Sequence, residues 1–200
     1  MDIAILGPAG MPASPRGFQS GVEQIISRLT DRGHDVTVHV PAARESRLPA
    51  FLLALVATVR VARAPKPDVA LFYTAATGPL CLITRAAGIP TLIDLDGLDS
   101  SPPRPHRFAR GCLRMAERLA PRMAHRAITD SYASADAYAR RYGREIEVVP
   151  YRDDGRQPVD WESVTAAYEQ LLRVVSRGTG HGPLPMDQLE QLERLPRSQR

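Results

Sequence analysis

The hydrophobic and polar residues of the chain form two kinds of stretch, one with the length of a strand and the other with the length of a helix. The strand blocks are short, nearly continuous apolar runs, and amphipathic blocks of helical length separate them. A continuous apolar run is typical of a strand buried on both faces, as in a parallel sheet with helices on each side. The predicted strands are residues 2–6, 35–40, 68–73, 91–96, 127–130 and 145–149.

The helical blocks complete an alternating strand–helix order. They cover residues 20–32, 48–64, 78–87, 104–126 and 134–142. Pro121 lies inside the fourth block and predicts a kink or a split there. The sequence therefore predicts an α/β fold: a single Rossmann-like, doubly wound parallel sheet of about six strands.

The last fifth of the chain departs from this alternation. Residues 152–159 form a polar connector, and the following stretch has the apolar stripe of one more helix, with Asp160 as its N-cap. Residues 177–200 begin with a glycine-rich linker and are expected to be a flexible tail containing one short helix at most.

Composition limits the class of protein. The chain has 200 residues, is 44% hydrophobic and carries a net charge of +4, which suits one globular domain with a tail. Cys81 and Cys112 lack metal-ligand spacing and are predicted to be reduced, buried residues of a cytosolic protein. The most apolar run, residues 51–59, is far shorter than the roughly 20 residues of a membrane span. The chain start is predicted to be a strand rather than a signal peptide, so we expect a cytoplasmic protein.

The loop after the first strand carries Gly7, Gly10 and Gly17 and leads into a helix. Free backbone N–H groups and the helix dipole make such a loop suitable for anionic groups. Its glycines do not form G-x-G-x-x-G, and the second strand ends without the acidic residue that binds a ribose, so NAD is not predicted. A merely permissive turn remains the alternative interpretation.

Asp94 and Asp96 end the fourth strand and share one of its faces. Two such carboxylates can hold Mg²⁺ or Mn²⁺ beside a diphosphate. A motif this short is weak evidence, and a strand-end aspartate often only caps the next turn, so no metal site is predicted. Asp96, followed by Gly97 at the ligand-binding edge of the sheet, is better placed for function.

Arginines recur every three or four residues along the fourth helix and occupy one of its faces. One interpretation is contact with anionic lipid headgroups or phosphates at a membrane surface. The other, which ranks slightly ahead, is a solvated outer face. Nucleic acid is not expected, because no aromatic residues are interleaved with the arginines and no binding module is recognisable. The arginines assigned to this face are Arg107, Arg110, Arg114, Arg118 and Arg122.

The stretch GPAGMPASPRGFQSGVE, followed by RGHDVTV, resembles the start of bacterial glycosyltransferases of the two-Rossmann-domain (GT-B) architecture. It is most similar to the rhamnosyltransferase-like group, which opens G-T-R-G-I-P-A-R-Y-G-G-F-E and continues to R-G-H-x-V-T-V. Further on, IDLDGLDS resembles that group's N-V-D-G-L-E-W, and residues 114–151 resemble its E-x-L-A-x-R-x-A-D, A-D-S and I-P-Y-G segments. The first stretch matches in register at Gly7, Gly10, Pro12, Ala13, Gly17, Phe18, Val22 and Glu23.

This resemblance implies roles for residues. In these enzymes the N-terminal domain binds the acceptor, and the loop after the first strand faces the interdomain cleft near the donor phosphates. An acidic or histidine residue at the end of the fourth strand lies near the reacting sugar, and Asp96 occupies that position as the predicted catalytic residue. The acceptors are often lipid-linked, which favours the membrane interpretation of the arginine face. The predicted ligand-loop residues are Gly7, Gly10, Gly17, Phe18, Gly97, Asp130 and Ser131.

The chain also departs from the group. Ala9 and Ser14 stand where the group has arginines, Arg16 replaces a glycine, and residues 100–103 replace W-K-R. After Tyr151 the group continues into a second Rossmann domain that binds the nucleotide sugar. Here a short connector leads instead to a helix resembling the terminal helix that packs back on the first domain. We therefore expect a domain at residues 1–151, a connector at 152–159 and an added C-terminal helix at 160–176.

Two functions remain as hypotheses. The chain is either the acceptor-binding half of a sugar transferase that uses nucleotide sugars with a separate donor-domain partner, or a non-catalytic binding or regulatory module. The isolated chain is expected to be inactive. No cofactor is predicted, a nucleotide sugar being a co-substrate only with a partner domain. Self-association through the exposed cleft face and a peripheral position at the inner face of the membrane are further expectations.

Overall fold

A single parallel sheet lies at the centre of the protein. The structure is a computed structural model that describes residues 1–7, 18–39, 50–95, 107–143, 145–150 and 159–178. The apolar runs identified in the sequence form the strands, and most of their residues are buried. The strands are β1 (Asp2–Leu6), β2 (Asp35–His39), β3 (Val69–Tyr73), β4 (Thr91–Asp94), β5 (Arg126–Thr129) and β6 (Glu147–Val148).

Helices alternate with these strands, which confirms the predicted α/β class. A 3₁₀ helix, Ala75–Leu80, begins one residue after β3 and runs into the next α-helix, so the helix predicted from residue 78 begins earlier. Pro121 does not split its helix, which continues to Met123 although proline lacks the N–H that would donate to the carbonyl of residue 117. The α-helices are α1 (Phe18–Asp31), α2 (Ala50–Arg63), α3 (Cys81–Ala86), α4 (Arg107–Met123), α5 (Tyr132–Tyr142) and α6 (Trp161–Ser176).

The strand order is β2-β1-β3-β4-β5-β6, and every neighbouring pair is parallel. The crossover from β1 to β2 runs toward one lateral edge of the sheet, and every later crossover runs toward the other lateral edge. Since parallel crossovers are right-handed, α1 lies on one face of the sheet and α2 to α5 lie on the other. Two separate hydrophobic clusters, one on each face, agree with this division. We call these the α1/α6 face and the four-helix face.

Helix α6 covers the part of the sheet that α1 leaves open. Among the described residues α1 is the one crossover helix on its face. It packs against α6 and β2, while α6 lies against β3 and β4. Tyr168, Leu171 and Leu172 of α6 are buried in one cluster with strand residues such as Leu71 and Leu92. The apolar stripe of α6 that is visible in the sequence therefore packs on the apolar surface of the sheet.

Charged side chains join α6 to α1 and to the turn after α1. Arg32 donates hydrogen bonds to Glu162 and, at 2.8 Å, to Glu169. Glu169 also lies 3.2 Å from Nε2 of His34 and 2.5 Å from Arg173. Exposed ion pairs contribute about 0–1 kcal/mol each, so the buried apolar stripe contributes more to holding α6 than these pairs do.

Glu169 makes the docking of α6 sensitive to acid. Burial raises its pKa, but hydrogen bonds from Arg32, His34 and Arg173 outweigh burial and lower the pKa below its ordinary value. A lowered folded-state pKa gives stability that is present above the unfolded-state pKa and is lost as the pH falls through the folded-state value.

We therefore expect Glu169→Gln to flatten the loss of stability on acidification below about pH 4.3, the ordinary glutamate pKa. Urea unfolding midpoints measured from pH 7 to pH 3 would show this flattening relative to the unmodified chain. Glu145→Gln, which removes an exposed carboxylate outside the network, is the control and should keep the original profile. Parallel profiles for all three proteins would contradict the prediction.

Candidate functional site

The direction of the crossovers reverses between β1 and β3, the second and third of the six strands. In open parallel sheets a ligand crevice forms at this switch point, outside the carboxyl ends of the strands. Gly7 directly follows β1 here and is buried. Phe18 is the first residue of α1, and only its backbone is described. Gly10 and Gly17, which were predicted to bind the ligand, lie outside the described residues.

On the β3 side of the switch point, Thr74 has an unusual backbone conformation. It directly follows β3, with φ of 72° and ψ of 146°, and it is the only non-glycine residue with positive φ among those described. A β-branched residue with positive φ is a genuine outlier, and such a conformation costs about 1–3 kcal/mol. Strain of this kind clusters at functional sites, where the surrounding structure holds it in place.

Hydrogen bonds on both sides hold Thr74. Its N–H donates to the backbone oxygen of Asp94 at 2.8 Å, which joins the ends of β3 and β4. Its carbonyl accepts hydrogen bonds from the N–H of Thr77 at 3.2 Å and from the Thr77 hydroxyl at 2.8 Å. The hydroxyl of Thr74, in contrast, is buried without a hydrogen-bond partner among the described residues. The backbone is thus fixed, and the hydroxyl is a buried polar group beside the carboxyl ends of β3 and β4.

Asp94 ends β4 beside Thr74 and is completely buried. Its Oδ2 accepts a hydrogen bond from the Tyr168 hydroxyl of α6. Burial, followed by the charge of Asp94, raises the pKa of Tyr73 well above its usual range, although a hydrogen bond with Tyr168 acts in the opposite direction. These three side chains tie α6 to the end of the sheet that carries the crevice.

Of Asp94 and Asp96, the two residues considered as metal ligands, only Asp94 lies within the described residues. Asp94 is engaged with α6, and Asp96, the predicted catalytic residue, lies outside the described residues together with Gly97. Within the described part of the chain, no group of three histidine, cysteine, aspartate or glutamate side chains is arranged to hold a metal ion.

Asp130 and Ser131 come after β5 and organise the start of α5. Oδ1 of the buried Asp130 accepts hydrogen bonds from the hydroxyls of Ser134 at 3.2 Å and Thr129 at 3.4 Å. Ser131 is the N-cap, and its hydroxyl oxygen accepts the Ser134 N–H at 3.2 Å. The described contacts of both side chains therefore stabilise this helix end.

The structure places these predicted residues along one edge rather than at one point. Gly7 follows β1 and Asp130 follows β5, three strand spacings away, which corresponds to about 14 Å at the usual 4.8 Å spacing. Thr74 lies between them, after β3. One extended ligand is long enough to reach both ends of this edge, whereas a single small ion is not.

The predicted arginine face lies elsewhere. Arg114, Arg118 and Arg122 are exposed on α4, on the four-helix face, while the side chains of Arg107 and Arg110 are not described. Cys81, at the start of α3, is completely buried, and burial raises the pKa of its thiol, so this cysteine is unsuited to nucleophilic chemistry.

Sequence reasoning missed Thr74. Threonine is ordinary at the end of a strand, and no glycine, proline or asparagine marks a positive φ here. The conformation is held by hydrogen bonds to β4 and to the 3₁₀ helix. The strand β4 is distant in sequence, and hydrophobic periodicity does not reveal the 3₁₀ helix. Only the next segment, A-A-T-G-P, which interrupts the apolar run, is a local signal that the chain turns sharply.

Comparison with known proteins supports the glycosyltransferase resemblance. The model of a family described as Glycosyl transferase 4-like domain matches residues 37–152, which is more than half of the chain and runs from β2 to just beyond β6. No curated protein matches the chain. None of the described helices combines the length and apolar character that a membrane span requires. With its parallel α/β sheet and this match, the chain belongs to the glycosyl transferase 4-like domain family.

Proposed function

We propose that this protein is the acceptor-binding half of a sugar transferase and works with a donor-binding partner that supplies the nucleotide sugar. The observation that carries the proposal is the family match over a parallel sheet whose switch-point crevice is built around a strained residue, Thr74. The resemblance of the first loop to the rhamnosyltransferase-like group favours a rhamnosyl or other hexosyl donor and a role in polysaccharide synthesis.

The crevice suits a sugar hydroxyl or a phosphate oxygen. The Thr74 hydroxyl can donate one hydrogen bond and accept others, and among the described residues it has no partner. A buried polar group without a partner costs about 1–3 kcal/mol, and a ligand that hydrogen-bonds to this hydroxyl recovers that free energy. We propose that Thr74 binds the acceptor, with Asp96 near the reacting sugar.

The donor site is proposed to come from another polypeptide because the connection after β6 is short. The related enzymes carry their second Rossmann domain between the last strand and the terminal helix. In this chain β6 ends at Val148 and α6 begins at Trp161. So short a connection cannot form a domain, which needs at least about 50 residues. Instead, α6 returns directly to the sheet and packs on β3 and β4.

A lone acceptor domain is not expected to transfer sugar. Catalysis depends on interactions that strengthen in the transition state, and departure of a nucleoside diphosphate needs positive groups placed at its phosphates. In the related enzymes these groups belong to the donor domain. The purified chain should therefore release no nucleoside diphosphate from nucleotide sugars.

The test is to purify the protein with its companions from its native host and to reconstitute it with any that carries a nucleotide-sugar domain. Nucleoside diphosphate release is then measured for a panel of nucleotide sugars. We expect activity only from the mixture, and we expect Thr74→Val to reduce it about tenfold, the effect of roughly 1.4 kcal/mol. Asp31→Asn, at the opposite edge of the sheet, should retain full activity. Turnover by the purified chain alone would refute the split-enzyme proposal.

A second candidate function is a non-catalytic binding or regulatory module. The same short connection between β6 and α6 favours it, because no donor domain is inserted there and sugar transfer would need one. In that case the partner is a second copy of the chain or another protein that covers the crevice edge. Absence of any companion with a nucleotide-sugar domain, together with absence of nucleotide-sugar binding, would favour this module.

We also propose that the protein works peripherally at the inner face of the membrane, where a lipid-linked acceptor would be presented. The exposed arginines of α4 support this location.

A further inference from the structure

The four-helix face exposes large apolar side chains that the rest of the described surface largely lacks. Six large hydrophobic residues are exposed in the described part of the chain, and five of them lie on α2 to α5. Met115 of α4 is 63% exposed and Leu82 of α3 is 50% exposed. Single exposed apolar residues are ordinary, but their concentration on one face is informative. The five are Leu52, Val56, Leu82, Met115 and Tyr132.

The same face is strongly cationic. The four helices contain only two acidic residues, Glu117 and Asp136. Glu117 contributes little to the outer surface, because it is buried: its Oε2 accepts a hydrogen bond from the Tyr142 hydroxyl at 2.6 Å and lies 3.7 Å from the guanidinium of Arg141. Asp136 is thus the one exposed acidic residue described on these helices. The exposed arginines there are Arg60, Arg63, Arg114, Arg118, Arg122, Arg140 and Arg141.

Apolar and cationic side chains share the outward side of α2 and of α4. On α2, Leu52, Val56 and Arg60 are spaced by four residues and lie on one side. Helical geometry places the buried Thr58 on the opposite side. On α4, Met115 lies one residue from Arg114 and three from Arg118, and all three side chains are exposed. The mixture is thus a property of the surface rather than of one helix end.

The α1/α6 face provides the contrast. Its charges are mixed, and Arg28, Arg32 and Arg173 all pair with glutamates of α6. None of the large exposed hydrophobic residues in the described chain belongs to α1 or α6. The two outer surfaces of the same domain therefore differ in both charge and apolar content, as expected when only one of them meets a partner.

We propose that the four-helix face docks on an anionic phospholipid bilayer. Arginines attract anionic headgroups, and apolar side chains among them insert at the boundary of headgroups and acyl chains. Each arginine near an anionic surface strengthens binding about fivefold. Nucleic acid is the less suitable partner, since phosphate contacts explain the arginines but give no role to Leu82 and Met115.

This assignment extends the surface beyond the arginines of α4 and sets an orientation. Buried residues of these helices share one hydrophobic cluster with the strands, so docking through the outer side of the helices would place the sheet roughly parallel to the bilayer. The carboxyl edge with Thr74 then opens sideways along the membrane surface. This last point rests on the proposed function, because it places the acceptor crevice at the level of a lipid-linked headgroup; the docking itself does not depend on sugar transfer.

The test uses the full chain and sedimentation with vesicles. Equal parts of phosphatidylglycerol and phosphatidylcholine form the anionic vesicles, and phosphatidylcholine alone forms the neutral ones. We expect binding to the anionic vesicles at least tenfold stronger than to the neutral ones. Replacing Arg114, Arg118 and Arg122 by glutamine should weaken anionic binding more than tenfold. Replacing Arg28, Arg173 and Arg177 by glutamine, which removes the same charge on the α1/α6 side, should change it less than threefold.

Two further measurements separate a bilayer from other anionic partners. Leu82→Ser with Met115→Ser should weaken vesicle binding several-fold and leave binding to duplex DNA unchanged. In a Met115→Trp variant the added indole should shift to shorter emission wavelengths with anionic vesicles, whereas native Trp161, the only tryptophan of the chain, should not. Thermal unfolding confirms that each variant is folded. Equal loss from both arginine triples, tighter binding to DNA than to vesicles, or an unshifted indole at position 115 would overturn the proposal.

Discussion

A chain that ends at Pro158 is expected to lose cooperative folding, because it lacks α6. Four large aliphatic residues of α6 are buried against the sheet and α1: Val164, Leu171, Leu172 and Val175. Burial of each contributes about 1.5–3 kcal/mol, or roughly 6–12 kcal/mol together. The whole free energy of unfolding of a domain is only about 5–15 kcal/mol. Loss of α6 therefore removes most or all of the stability.

Polar interactions make this loss larger. Without α6, Asp94 loses the Tyr168 hydroxyl, and Arg28 and Arg32 lose their glutamate partners. Leu71 and Leu92 of the sheet are completely buried in the full chain and would contact water on that face once α6 is removed. Circular dichroism should show no sharp thermal transition for the shortened chain.

A graded variant tests the same point without deleting a segment. Leu172→Ala should destabilise the protein by about 2–5 kcal/mol, a fall of roughly 10 °C in the unfolding midpoint for a chain of this size. Ala166→Ser, on the exposed side of α6, is the matched control and should stay within about 0.5 kcal/mol of the original. A shortened chain with the original midpoint would show that α6 is dispensable.

Gly78→Ala is expected to cost about 3 kcal/mol, near the upper end of the range for overpacking a core. A Cβ at this position would lie 2.5 Å from Cβ and 2.8 Å from Cα of Ala120. Since Cα of Ala120 is backbone in α4, no side-chain rotation can relieve the contact. The 3₁₀ helix and α4 would have to separate, which also loosens the turn that holds Thr74.

Two comparisons isolate this contact in thermal and urea unfolding. Gly33→Ala introduces the same methyl group where nothing lies within 4 Å. It should therefore cost only the roughly 1 kcal/mol needed to hold alanine in the left-handed backbone region. In the double variant Gly78→Ala with Ala120→Gly, the closest contact is gone but Cα of residue 120 remains near, so stability should recover in part. A Gly78→Ala protein no less stable than Gly33→Ala would disprove the close-packing account.

The strands and the helices between them were predictable, because continuous apolar runs and amphipathic stretches report burial directly. Strand order was not, since it depends on contacts between residues far apart in sequence. The resemblance of the first loop to a glycosyltransferase group was likewise available from the residues alone. In the candidate site, Asp130 and Ser131 could be picked out from the sequence. Their hydrogen bonds with Ser134, which stabilise the start of α5, could not.

The α/β class, the periodic arginines of α4 and the amphipathic stripe of α6 could all be recognised from the amino-acid sequence, because each is a local pattern along one segment. The folded chain was needed to show that α6 covers β3 and β4, that Thr74 adopts a positive φ, and that Gly78 must be small. It also brought Leu82, Met115 and the arginines onto one outer face. These features arise from long-range packing, where the crossover direction decides which surfaces meet and which remain exposed.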